Sequence, residues 1–116
     1  MAADQVEIQI PKTVVPEKTG FTATAYFRTR STKAASTPTT VHYRVDCLST
    51  RTQIKDWTSV SAASSVSIAI GSAENTIQDS TKARERRQLI VKADDGLSTQ
   101  AIGHVEWLVD NLYGVT

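Results

Sequence analysis

Apolar and polar residues alternate one by one along most of this chain, and this pattern restricts the fold more than any other feature of the sequence. In residues 5–10, for example, Val6, Ile8 and Ile10 alternate with polar residues. A period of two places successive side chains on opposite faces of a strand, whereas a helix needs apolar residues three or four positions apart. The alternating segments are residues 5–10, 20–30, 40–48, 53–60, 65–71, 88–93 and 98–113.

About seven strands, joined mostly by polar turns, predict an all-β protein without a helix longer than one turn. Seven short antiparallel strands over roughly 100 residues are typical of an immunoglobulin-like β-sandwich. A small β-barrel stays open as the alternative, because strand spacing does not separate the two. The length of 116 residues predicts a single domain, residues 1–116, with extended termini at residues 1–4 and 114–116.

Three segments break the alternation. Prolines bracket residues 12–15, which favours an edge segment because proline cannot donate to a ladder. Residues 31–38 lack large apolar side chains and predict a loop. Residues 73–87 are the least regular. Although residues 82–88 fit a helical turn, the surrounding pattern favours a loop that leads into a strand at residue 88.

The last two strands carry two glycine signals. Asp94-Asp95-Gly96 predicts a tight hairpin, since Asp-Gly supplies the positive φ angles that such turns require. Gly103 lies inside the final strand and predicts a bulge there.

One face of each strand is expected to form the core. The side chains expected there are Phe21, Phe27, Tyr43, Val45, Cys47, Val66, Ile68, Leu89, Val91, Val105, Trp107 and Val109.

Composition excludes several classes of protein. Apolar residues make up 40% and charged residues 22% of the chain, which is ordinary globular composition. The apolar runs are too short for a membrane span, and the net charge of +1 gives no overall attraction to nucleic acid or anionic membrane. A single cysteine and a start without a signal-peptide pattern predict synthesis in a reducing cytoplasm.

The stretch from Val41 to Trp107 resembles a fibronectin type III or immunoglobulin-like module. The likeness is carried by Tyr43, by Trp57 in the next strand, by the Asp94-Asp95-Gly96 hairpin and by the strand through Trp107. It implies a β-sandwich. The chain departs from antibody-type domains because Cys47 has no partner cysteine and no tyrosine corner precedes the Leu89 strand.

A second likeness rests on the unprocessed start of the chain, its Ser/Thr-rich strands and the series TTVHYRVDC, DWTSVS, ENTI and RQLIVKADDG. In these features the chain resembles the small β-sandwich proteins of tailed-bacteriophage virions. This likeness implies a non-enzymatic structural protein in the capsid, the head-tail connector or the tail. Its partners would be other virion proteins and copies of itself.

Catalysis and metal binding find little support in the residues. Cys47 is in phase with the inward residues and His42 is on the opposite face, so no histidine is placed to activate the thiol. His42 and His104 alone fall short of a zinc signature. Asp46, Asp56, Asp94 and Asp95 do not have EF-hand spacing. We therefore expect no enzyme activity, no cofactor, no metal and no small-molecule substrate.

Two aromatic residues support an alternative function. An exposed Trp57 or Tyr26, flanked by Asp or Asn groups, would suit a carbohydrate- or cell-surface-binding module. Trp107 is in phase with core residues, whereas the position of Trp57 stays open.

Protein contacts are expected at strand edges, charged loops and the carboxyl end. In the basic run KARERR, a solvated loop with local pairing is one interpretation, and a surface for phosphates or an acidic neighbouring subunit is the other. Without interleaved aromatics, base stacking is not suggested, and neither nucleic acid nor membrane is an expected partner. The expected interface residues are Gln5, Glu7, Gln9, Lys12, Lys82, Arg84, Arg86, Arg87, Leu112 and Tyr113.

Overall fold

A computed structural model describes residues 4–94 and 99–112, with only the backbone of residues 99 and 100. Eight strands lie within these residues, together with a single 3₁₀ turn, Ser72–Asn75. The strands are β1 Gln5–Gln9, β2 Val14–Pro16, β3 Phe21–Arg28, β4 Thr40–Cys47, β5 Thr52–Val60, β6 Ser65–Ile70, β7 Arg84–Asp94 and β8 Thr99–Asp110. Within the same ranges, no helix combines the length and the apolar character that crossing a membrane requires.

The strands form two sheets, and the predicted all-β class is confirmed. One sheet has three strands in the order β1-β3-β6, all antiparallel. The other has five strands in the order β2-β8-β7-β4-β5, in which only the short pairing of β2 with β8 is parallel among the described strands. Neither sheet closes on itself, so the arrangement differs from the barrel alternative.

Both sheets contribute to one cluster of buried apolar side chains. The aromatic rings of Phe21 and Trp107 meet edge-on across it, with centroids 5.1 Å apart. Phe21 and Val105 are partly buried and pack against the cluster. The other expected core residues are buried: Phe27, Tyr43, Val45, Cys47, Val66, Ile68, Leu89, Val91, Trp107 and Val109.

Strand β7 begins earlier than the sequence pattern predicted. The expected loop ends at residue 83 and not at residue 87, and the alternative of a helical turn at residues 82–88 is wrong, because pairing with β8 already starts where Arg84 faces Asp110. Glu85 and Arg87 occupy inward positions in phase with Leu89, where the pattern would have needed apolar residues. Because the residues at those positions are charged, the apolar alternation did not indicate a strand there.

Gly103 lies in a regular part of the hairpin, so the expected bulge at this residue is wrong. Gly103 faces Val91 in uninterrupted register, and the shift in pairing falls between Ala93 and Asp94. A Cβ at residue 103 would lie 3.1 Å from the Cβ and 3.2 Å from the carbonyl oxygen of Val6. The glycine therefore allows β1 to approach β8 closely. The predicted turn residues Asp95 and Gly96 lie outside the described residues.

Candidate interaction surface

The first predicted contact residues lie along β1, at one edge of the three-stranded sheet. Glu7 and Gln9 are exposed, whereas Gln5 is half-buried. Oε2 of Glu7 accepts a hydrogen bond from Nη1 of Arg28 at 2.6 Å. This bond, with a smaller contribution from Gln9, lowers the pKa of Glu7. The edge thus presents a carboxylate that is already paired.

A small, mostly apolar groove lies beside the segment that follows β1. It has a volume of about 200 Å³ and is lined by Pro11, Lys12, Val15 and Phe21, among others. The exposed Lys12 stands on this groove. The groove lies where the chain crosses from β1 in one sheet to β2 in the other. Prolines on both sides of this crossing restrict the backbone there.

The basic run does not form one cationic surface. Arg84 is paired with Asp110, and Nη1 of Arg86 donates to Oε1 of Glu106 at 2.9 Å. Both arginines are exposed on the outer side of the five-stranded sheet, and Lys82 is half-buried. Local pairing therefore neutralises Arg84 and Arg86, although both lie on strand β7 and not in the solvated loop that this interpretation of KARERR assumed.

The prediction that Arg87 belongs to the contact residues is wrong. Arg87 was expected to be available to a partner, but it is fully buried. Its guanidinium donates to the carbonyl oxygens of Glu74 and Thr76 at 3.1 and 2.6 Å and to Oε1 of Glu85 at 2.9 Å. Every contact is internal, so Arg87 is an anchor for the segment between β6 and β7.

Glu85 completes this buried charge cluster. Its two carboxylate oxygens accept hydrogen bonds from the backbone N–H groups of Gln78 and Asp79, at 2.8 and 2.7 Å. With the arginine on the other side, the buried carboxylate is both paired and hydrogen-bonded, which burial of a charge demands. The pair fastens the connection after the 3₁₀ turn to the end of the core.

Asn75 is another buried polar residue that the sequence pattern did not reveal. It accepts a hydrogen bond from the indole N–H of Trp107 at 2.8 Å and donates to the carbonyl oxygen of Thr19 at 2.6 Å. It thereby joins β8 to the turn that precedes β3. No local signal marked Asn75, since the contacts are made with residues far away in sequence.

Cys47 is buried against the same charge cluster. Its Sγ lies 3.0 Å from Nη1 of Arg87 and 3.9 Å from Oε1 of Glu85. His42 is on the opposite face of β4, with Nδ1 3.5 Å from a carboxylate oxygen of Asp94 and without hydrogen-bond geometry. The cysteine and the histidine are therefore separated by the sheet, as the alternation predicted.

Trp57 is 36% exposed, on the edge strand β5. The ammonium nitrogen of Lys92 lies 4.5 Å from its ring centroid, in a cation–π contact. Asp56 accepts a hydrogen bond from the Trp57 backbone N–H. Tyr26 is half-buried, with the guanidinium carbon of Arg28 5.7 Å from its ring centroid. Of the two aromatic candidates, Trp57 is the more accessible.

The remaining polar groups do not converge on one point. Among the described residues, no three His, Cys, Asp or Glu side chains come together as metal ligands would. A surface groove of about 430 Å³ at the β4–β5 end includes Arg44, Asp46 and Arg51. There, Nε of Arg44 is bonded to both carboxylate oxygens of Asp46, each at 3.0 Å.

Leu112 is the last predicted contact residue that the structure describes. Its side chain is 62% exposed, and its backbone N–H donates to Oε1 of the buried Glu17 at 3.0 Å. That bond ties the chain just after β8 to the segment after β2. Tyr113 and the rest of the carboxyl end lie outside the described residues.

The described strands have four outer edges, formed by β1, β6, β2 and β5. Three of them carry features that discourage pairing with another chain. The β1 edge has the ion-paired Glu7, and Pro11 lies just beyond it. The β2 edge is three residues long and includes Pro16. The β5 edge carries Lys55 and Asp56, and its pairing with β4 is irregular.

Comparison with protein-family models, curated proteins and solved structures finds no match to this chain.

Proposed function

We propose that this chain is an immunoglobulin-like β-sandwich. If β1, β3 and β6 correspond to strands A, B and E, and β4, β5, β7 and β8 to C, C′, F and G, the sheets become ABE and GFCC′. This is the strand arrangement of an immunoglobulin-like domain without strand D. In this correspondence, β2 is a short extension of the first strand that pairs with the opposite sheet.

The proposed function is that of a non-enzymatic structural protein in the virion of a tailed bacteriophage. One observation carries the non-enzymatic part: Cys47, the nucleophile considered from the sequence, is buried between Arg87 and Glu85 and separated from His42 by the sheet. Arg84, Glu85, Arg86 and Arg87 of the basic run form ion pairs within the chain. The virion assignment is supported by the sequence resemblance.

Affinity in this proposal comes from strand edges and end loops. An edge strand offers unpaired N–H and C=O groups, and another chain can bind by adding a strand. Exposed residues beside the edges, such as Gln9, Lys12 and Leu112, would form the rim of the contact. Repetition of such contacts in a symmetric particle would strengthen a weak single contact through avidity.

The direct test is mass spectrometry of virions purified from infected cells that produce this chain. We expect the protein to remain with the particles through density-gradient purification and to be present in a fixed ratio to the major capsid protein. A capsid-free fraction of the same lysate is the control. Detection only in that fraction would contradict a permanent virion role.

Trp57 supports a second candidate, a carbohydrate- or cell-surface-binding module. Its ring is partly exposed and Asp56 is adjacent. However, Lys92 lies over one face of the ring, and a sugar that stacks on that face would have to displace it. This candidate predicts glycan quenching of Trp57 fluorescence that is stronger in Lys92→Ala than in the native chain. The buried Trp107 is the internal reference.

A further inference from the structure

We propose that the free edge of β6 is a self-association site, at which β6 of a second copy pairs antiparallel across a two-fold axis. The inference rests on the proposed function and deepens it by naming the edge and the partner. The observation behind it is that β6 is long enough to pair, lies at the end of its sheet, and lacks the protective features of the other three described edges.

The register identifies the peptide groups that a partner would meet. The N–H of Phe27 donates to the carbonyl oxygen of Ser64 at 2.8 Å, and these two residues continue the β3–β6 register by one position beyond Tyr26 and Ser65. Hydrogen-bonded positions alternate along an antiparallel pair. The peptide groups of Val66, Ile68 and Ile70 therefore face β3, and those of the intervening residues face outward: Ser65, Ser67 and Ala69.

These three residues leave the edge unobstructed. Their side chains are small, uncharged and exposed, while the alternate residues of β6 are buried in the core. The sequence of the strand, SVSIAI, includes neither proline nor a charged residue. Natural edge strands commonly carry such residues to prevent pairing, so their absence from this described strand leaves it open to association.

The strand fits a second copy of itself. A two-fold axis through Ser67 sets Ser67 against Ser67 and Ser65 against Ala69, so that small side chains meet small side chains. An interface of this kind is self-complementary, as two-fold dimers require. It also leaves no charge unpaired, whereas a charged partner strand would find no counter-ion on β6.

The paired strands would form a continuous six-stranded sheet in the order β1-β3-β6-β6-β3-β1. Three outward-facing residues on each copy give about six inter-chain hydrogen bonds. A single strand edge buries much less than the roughly 800 Å² per partner of a standard interface, so the isolated dimer should be weak. It would become significant at the high local concentration of an assembling particle.

Cysteine crosslinking tests the register. In Ser67→Cys the two introduced thiols face each other across the axis, within the Cα spacing that a disulfide spans. Thr22→Cys is the matched control, since Thr22 is exposed on the same sheet but on the central strand. Because Cys47 is buried, the native chain gives the background rate.

We expect Ser67→Cys to form disulfide-linked dimers at least about tenfold faster than Thr22→Cys under mild oxidation, because pairing raises the effective thiol concentration. Equal rates would overturn the proposal.

Analytical ultracentrifugation of Ser67→Lys tests the proposal independently, by measuring the dimer dissociation constant of this variant. Two ammonium groups would face each other across the axis and repel, so we expect the dimer dissociation constant to be at least about tenfold larger than that of the native chain. Thr22→Lys should leave the constant unchanged. If Ser67→Lys dimerises like the native chain, β6 is not the interface. The virion role would then stand or fall on the particle measurement alone, so the two failures are distinguishable.

Discussion

At the scale of single residues, the inward positions of β7 decide how this end of the molecule is held together. Leu89 and Val91 fill the core as their apolar character predicted, whereas Glu85 and Arg87 continue the same face with charge. Because both side chains are charged, the apolar alternation in the sequence did not extend to them. What the sequence did not contain was the set of partners, since the hydrogen bonds of the pair reach the segment from residue 74 to 79.

Arg87→Met should destabilise the protein by about 3–5 kcal/mol, because it leaves the buried Glu85 carboxylate without its counter-ion. The exposed Arg84 pairs with Asp110, and Arg84→Met should cost no more than about 1 kcal/mol. Urea unfolding monitored by tryptophan fluorescence measures both. A similar cost for the two variants would mean that the buried pair does not anchor the β6–β7 connection.

A pH effect is expected at the Glu7–Arg28 pair. The hydrogen bond from Arg28 lowers the pKa of Glu7 below its ordinary value of 4.5. Folding therefore favours the ionised form of the Glu7 carboxylate over the protonated form. The stability from this pair is therefore present above pH 4.5 and is lost as the pH falls through the folded-state pKa.

NMR titration of the Glu7 side chain measures this shift directly. In Arg28→Met the pKa of Glu7 should rise towards 4.5, and the difference in urea midpoint between native chain and variant should close in acid. A Glu7 that titrates at the same pH in both proteins would contradict the pairing.

At the scale of elements, alternation predicted most strands to within a few residues. It placed β4 at residues 40–48, and the strand is Thr40–Cys47. It missed the start of β7, where charge faces inward, and could not predict the parallel pairing of Val14–Pro16 with β8. That pairing joins three residues to a strand more than 90 positions away. The alternation of apolar and polar residues within a segment carries no information about such a distant partner.

Substitution of Gly103 tests how closely β1 and β8 approach each other. A Cβ at this position would meet the backbone and Cβ of Val6, so Gly103→Ala should cost about 1–3 kcal/mol through a forced shift of β1. Gly71→Ala is the control, because its Cβ would meet the flexible end of Glu74, and should change stability by about 0.5 kcal/mol or less. Equal effects in urea unfolding would contradict the close approach.

At the scale of the whole molecule, two open sheets share one core, and four described strands end as edges. The all-β class followed from the period of two, since it required no tertiary information. The predicted contact surface stays a prediction, apart from Arg87, which is buried. The sequence favoured β1 and the basic run, but pairing within the chain occupies Glu7, Arg84, Arg86 and Arg87. The open edge of β6 could be recognised only once the sheet order was known.

We propose that the chain functions by associating with copies of itself and with other virion proteins. Multi-angle light scattering over a concentration series tests it most directly, with and without purified capsid and tail proteins. We predict that the mass rises from the 12.6 kDa of one chain to that of a dimer or larger assembly as concentration increases. A mass that stays at 12.6 kDa at every concentration and beside every virion protein would contradict the claim.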